Sequence, residues 1–173
     1  MSNEKGYIQV YTGNGKGKTT AALGLSVRAV CSGKKVFFGQ FVKGMKYSEL
    51  EAVKFLPNFK MQQFGRNTFI FDKPTKADID AANSGLKTIE QILISGEYDV
   101  VIMDEVNIAI FFELFSDEDV IKVLNKKADN VEVILTGRYA TDRIIDRADL
   151  VTEMKEIKHY YTQGVQARKG IES

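Results

Sequence analysis

Apolar positions along this chain fall into short, nearly continuous runs, separated by longer stretches in which they recur every three to four residues. The short runs predict strands at 7–11, 35–41, about 60–64, 100–103, 131–135 and 150–153. Several hold no polar position to alternate with, as expected of parallel strands covered on both faces. The periodic stretches predict helices at 19–32, 48–55, 76–95, 116–125 and 141–147. Ser116 followed three residues on by Asp119 is a helix-start signal, and Gly33 stands where the first helix would need a left-handed end. Strand and helix alternate throughout, which implies an α/β domain on a doubly wound, mostly parallel sheet of about six strands, with ligands at the carboxyl ends of the strands. No repeat or low-complexity linker divides the chain, so 1–173 reads as one domain. The segment 44–74, with Pro57 and Pro74, breaks the pattern. Such a length without periodicity marks a functional loop or an irregular element.

Between the first strand and the first helix the chain reads Thr12-Gly13-Asn14-Gly15-Lys16-Gly17-Lys18-Thr19-Thr20. Glycines at 13, 15 and 17 let the backbone turn its N–H groups toward one anion. Lys18 adds a mobile charge for phosphate oxygens, and the Thr19 hydroxyl can reach a Mg²⁺ bound to them. The following helix brings its positive end to the same place. A glycine-rich turn alone is more often a flexible connection; Gly17-Lys18-Thr19-Thr20 at a helix start favours a nucleotide-phosphate site. The usual loop spacing would place glycine at 12, where this chain has threonine.

The predicted strand at 100–103 runs into Asp104 and Glu105. Hard carboxylate oxygens at this point suit Mg²⁺, and alternation along a continuing strand would turn the two acids to opposite faces, leaving one for the metal. By itself such a pair is as readily a solvated strand end. Arg28 on the first helix and Arg138 after the fifth strand are candidates for bidentate phosphate contacts. For Arg28 a surface salt bridge is an equal alternative, whereas Gly137 before Arg138 favours a site position. His159, the only histidine, has no metal-ligand companion in sequence and reads as structural or surface. Tyr47, Phe64, Phe69 and Phe71 suit core packing or a flat apolar ligand.

Composition narrows the partners. Lys and Arg total 24 against 23 Asp and Glu, so the chain lacks the basic excess expected of a nucleic-acid binder. No apolar run is long enough for a membrane span and no signal-peptide pattern opens the chain, which predicts a cytoplasmic protein. The single cysteine, Cys31, reads as a small buried hydrophobe in a reducing setting.

Taken together, the glycine loop through Ala22 with Arg28, the blocks Gln40-Phe-Val-Lys43-Gly44, Val101-Ile-Met-Asp-Glu105 and Leu135-Thr-Gly-Arg138, and the tail with Ile157-Lys-His159, Gly164-Val-Gln-Ala-Arg168 and Gly170-Ile-Glu172 resemble the P-loop ATP:corrinoid adenosyltransferases. The resemblance implies a P-loop NTPase-like (RecA-like) fold. It also implies transfer of the 5′-deoxyadenosyl group of ATP to the cobalt(I) of a corrinoid such as cobalamin, with triphosphate leaving. The nucleophile would be cobalt itself, reduced by an external reductase or flavoprotein, so no catalytic side chain is expected. Residues Gly13 to Thr20, Arg28 and Arg138 would hold ATP, and Thr19 and Glu105 would ligate Mg²⁺. Gln40, Lys43 and Phe69 would meet the corrinoid, with Asn67 where a second aromatic residue under the corrin is expected. A homodimer is compatible with this reading. A P-loop nucleoside or small-molecule kinase is the alternative, as is a regulatory nucleotide-binding module.

Overall fold

A computed structural model describes residues 4–42, 44, 48–66, 70 and 73–172. Six strands form one parallel sheet in the order β3-β2-β4-β5-β1-β6. They are β1 (Ile8–Thr12), β2 (Val36–Gln40), β3 (Phe59–Gln63), β4 (Val100–Asp104), β5 (Glu132–Thr136) and β6 (Leu150–Glu153), each within one residue of expectation at either end. The helices are α1 (Lys18–Cys31), α2 (Lys76–Ser95), α3 (Val106–Phe111), α4 (Asp117–Leu124) and α5 (Asp142–Arg147). Two departures stand out. The predicted helix at 48–55 is a 3₁₀ helix, Ser48–Lys54, and α3 was not expected. At six residues α3 is too short to show a helical period, and only Asp104 and Glu105 separate its apolar residues from those of β4.

The central strands are buried on both faces, and their residues divide with period two. Val36, Phe38, Val100, Ile102 and Ile134 pack with Ala22, Ala29 and Val30 of α1. Phe37, Val101, Met103, Val133 and Leu135 face the other way, onto Ile89 and Leu93 of α2 and Val120 and Leu124 of α4. β6 lies at the sheet's edge and is exposed along its length.

Local signals set the helix ends. Thr75 and Asp78 form a reciprocal capping box at the start of α2, and Ser116 and Asp119 form another at α4. After α1 the chain turns through Gly33 at φ 84°, whose N–H donates to the Val30 carbonyl while that of Lys34 donates to Ala29. Cys31 is exposed rather than buried, because the apolar stripe of α1 runs through Ala22, Ala29 and Val30 instead.

Two glycines make room for one ring. Phe64, just beyond β3, lies between Gly39 of β2 and Gly85 of α2 and packs against Phe41 with ring centroids 5.2 Å apart. A methyl group at Gly85 would stand 2.4 Å from Phe64 Cγ, whereas one at Gly24 on the exposed side of α1 meets nothing within 4 Å. Gly85→Ala is therefore expected to lower stability by about 1–3 kcal/mol through overpacking, despite alanine's better helix propensity. Gly24→Ala should raise stability by as much as about 1 kcal/mol. Urea denaturation of the two variants checks the opposite signs.

Candidate active site

The carboxyl ends of β1, β2, β4 and β5 open onto a cavity of about 930 Å³. Its floor is the segment Gly15–Thr20 and its walls include Val42, Glu49, Glu105, Arg138 and Tyr139.

The glycine loop is shaped from behind. Gly13 has φ 91° and Gly17, which caps α1, has φ 118°. The chain leaving β6 crosses the back of the loop: the Gly15 N–H donates to the Met154 carbonyl at 2.7 Å, and the Met154 N–H donates to Thr12 at 2.8 Å. A side chain at Gly13 or Gly15 would meet the Met154 carbonyl at 2.4 or 2.7 Å. These glycines answer a steric demand as well as a conformational one. Thr12 is the last residue of β1, where the backbone needs no glycine, and its hydroxyl accepts the Ala140 N–H at 3.4 Å. The residue in place of the usual glycine thus ties β1 to the loop that carries Arg138.

Lys18 is buried, and its ammonium donates to the carbonyls of Gly13 at 2.8 Å and Gly15 at 2.7 Å. Burial, and after it the charge of Arg138, pushes the Lys18 pKa down. Two cations that repel one another beside the unbonded amides of a helix start form a site that gains by taking up an anion. Lys16, Gly17, Lys18, Thr19 and Thr20 line the cavity; Gly13 and Asn14 stand behind it, and Asn14 Oδ1 accepts the Glu156 N–H at 3.2 Å.

At the end of β4 the two acids do not alternate as on a continuing strand. Asp104 is fully buried, accepting from Thr19 Oγ1 at 2.9 Å, Thr136 Oγ1 at 2.7 Å and Gln40 Nε2 at 3.2 Å. Glu105 takes a left-handed conformation, φ 58°, starts α3 and lines the cavity. Its N–H donates to Thr136 Oγ1 at 2.9 Å. Because the Thr19 hydroxyl donates to Asp104, its oxygen lone pairs are left for a cation. Among the described residues no group of three or more His, Cys, Asp or Glu side chains could hold a metal. Mg²⁺ is usually bound by few protein oxygens, with phosphate and water completing the shell, and Thr19 and Glu105 bring a hydroxyl and a carboxylate of that kind to the cavity lining.

The structure places the other candidate residues differently. Arg28 lies in the last turn of α1, ten residues and about 15 Å beyond Lys18, near Tyr11, and is absent from the cavity wall. Gln40, expected to meet a corrinoid, is fully buried: it holds Asp104 and bonds to Glu49 and Gln63. In this arrangement it positions another residue. Lys43 and Phe69, with Tyr47, Asn67 and Phe71, lie outside the described residues. His159, expected to be structural or at the surface, lines the cavity with Gly170, Ile171 and Glu172 of the tail. Thr136 was missed as well; its only signal was its place beside Gly137 and Arg138 at a strand's carboxyl end.

The fold has a solved counterpart in the crystal structure of the RadB recombinase, with a TM-score of 0.55, 14% identity and 90% of this chain and 77% of that one covered. That likeness places the sheet among RecA-like folds. Sequence comparison goes further. A corrinoid adenosyltransferase of Escherichia coli (strain K12) is 35% identical over 171 residues, covering 98% of this chain and 87% of that protein. The corrinoid adenosyltransferase CobA of Salmonella typhimurium is 36% identical over 170 residues, covering 98% and 86%. The family model described as ATP:corrinoid adenosyltransferase BtuR/CobO/CobP matches residues 4–173, from the strand before the glycine loop through the tail that closes the cavity. With the loop, the acidic strand end and the tail all inside that match, the chain belongs to the ATP:corrinoid adenosyltransferase family.

Proposed function

We propose that the cavity holds ATP by its triphosphate, and that the 5′-deoxyadenosyl group passes from there to a corrinoid. The electron pair of substrate cobalt(I) attacks C5′ and becomes the new cobalt–carbon bond, while the bond from C5′ to the triphosphate oxygen breaks and triphosphate leaves with that bond's electrons. Cobalt ends two oxidation levels higher, so an external reductase or flavoprotein must deliver cobalt(I) beforehand. No side chain need act as nucleophile, and the protein's part is to grip, aim and exclude water. The observation that carries this reading is the convergence of Lys18, Arg138 and the start of α1 on one cavity in a chain of this family.

Within the cavity, Thr19 and Glu105 would hold Mg²⁺, which when bound would stabilise charge on the departing triphosphate. Asp104 would fix the Thr19 hydroxyl from below. Lys43 and Phe69 are proposed corrinoid contacts on sequence resemblance alone. The kinase alternative would present the γ-phosphorus to an acceptor, and family membership favours the adenosyl transfer.

The two chemistries leave different products. With ATP, Mg²⁺ and chemically reduced cobalamin, the protein is expected to form a light-sensitive alkylcobalamin and tripolyphosphate one-for-one; ADP formed in that proportion would contradict the reading. Lys18→Ala removes a charge-assisted contact, about 1.5–3 kcal/mol, and should weaken ATP binding roughly 10- to 100-fold by titration calorimetry. The two acids should separate by readout. Asp104→Ala leaves buried donors unpaired and should lower stability in urea by about 1–3 kcal/mol or more. Glu105→Ala should stay folded and instead raise the Mg²⁺ concentration needed for turnover.

A further inference from the structure

The tail returns to the glycine loop at a second place, around one carboxylate. Glu172 Oε1 accepts from Lys16 Nζ at 3.3 Å, from Arg168 Nη2 at 3.1 Å and from the Tyr160 hydroxyl. Its Oε2 accepts the Arg168 N–H at 2.8 Å and Arg168 Nε at 3.3 Å. The Arg168 guanidinium lies over the Tyr160 ring, 5.2 Å from its centroid, and Nη2 donates to the hydroxyl at 3.2 Å. Arg168 first, then Tyr160, holds the Glu172 carboxyl well below the usual carboxylate range. Lys16, Ile171 and Glu172 line the same cavity as Lys18 and Arg138.

A structural staple would account for one ion pair, and exposed pairs contribute little. This set is richer than a staple needs. The tail is already tied to the loop by Met154 and by Asn14. A bidentate arginine, a lysine, a hydroxyl and a backbone N–H around one anion are the donors that recognise phosphate. The lysine comes from the phosphate loop itself, between Gly15 and Gly17.

We infer that Lys16, Arg168 and Tyr160 form a second phosphate subsite of the cavity, occupied by the Glu172 carboxylate until an outer phosphate of ATP takes its place. The inference rests on the cavity being the triphosphate site. Exchange of one anion for another leaves the two cations paired throughout, so the subsite is neither left unpaired before binding nor closed to it. The carboxylate also competes with bound triphosphate, so its return favours release of that product.

Titration calorimetry with tripolyphosphate, at fixed ionic strength and with Mg²⁺, tests this. Glu172→Gln keeps the side chain's shape and removes the competing charge, and should bind tripolyphosphate about 10-fold more tightly. Arg168→Ala should bind it about 10-fold more weakly, and Tyr160→Phe, which keeps the ring under Arg168, should weaken it by a smaller factor. Circular dichroism and the urea midpoint confirm that each variant is folded. Unchanged or weaker binding by Glu172→Gln would make the carboxylate a strut and overturn the inference, as would unchanged binding by Arg168→Ala. Lys18→Ala run alongside separates the two readings. If that variant binds like the parent, the triphosphate site itself has been misplaced; if it loses binding while Glu172→Gln shows no gain, only the subsite fails.

Discussion

A fully buried carboxylate organises the mouth of this sheet. Asp104 has lost its water and must be compensated by donors, since an uncompensated charge at that depth would cost several kcal/mol. The donors come from three elements: Thr19 at the start of α1, Thr136 at the end of β5 and Gln40 at the end of β2. β5 lies between β1 and β4 in the sheet, so the acid of β4 reaches the phosphate-loop helix across an intervening strand, and Thr136 of that strand donates to the same Asp104 Oδ1 as Thr19. The same hydroxyl accepts the N–H of Glu105, which fixes where the chain leaves β4. One desolvated charge thus couples the register of three strands to the position of the first helix.

The phosphate loop meets a complementary constraint from the other side. Its glycines do more than permit unusual dihedral angles; the chain after β6 lies so close that a Cβ at 13 or 15 would collide with its backbone. β6 is an exposed edge strand with little packing of its own. Its role in the site is to deliver Met154 to the back of the loop and the tail to its front. The loop is held between a buried carboxylate below and a returning chain behind, which limits how far it can relax when empty.

Legibility in the sequence followed the range of the interactions. The strands and most helices could be read because burial on both faces and helix capping are written within a few residues. α2 begins at a capping box and ends at Gly96 with φ 62°, and its bounds agree with expectation. The glycine loop could be read because its chemistry is local. What the sequence did not convey depended on distance in space. Arg28 lies at the end of α1 away from the cavity, and Gln40 has the polarity of a ligand contact while lying under Asp104. The alternation assumed for Asp104 and Glu105 broke because the chain turns left-handed at Glu105. The Glu172 cluster joins residues up to 156 positions apart, and no spacing rule reaches that far.

The backbone around the cavity shows which demand prevailed where they conflicted. Val42, Glu105 and Tyr139 all have positive φ, at 62°, 58° and 62°, and all three line the cavity. They follow β2, β4 and β5, adjacent strands whose chains must turn sharply away to leave a crevice open. Glycine would make each turn without strain, and a side chain there costs about 1–2 kcal/mol. For valine, branched at Cβ, the conformation is a genuine outlier. At the end of β1 the chain does use glycine, since the returning Met154 leaves no space for a side chain. At the other three ends space exists, and it is filled by a carboxylate, an aromatic ring and an aliphatic wall. Asn58 and Glu113 also have positive φ, at 58° and 57°, away from the cavity; at Val42, Glu105 and Tyr139 the strained side chain faces the ligand space, as expected if surface for the two substrates outweighs a few kcal/mol of stability.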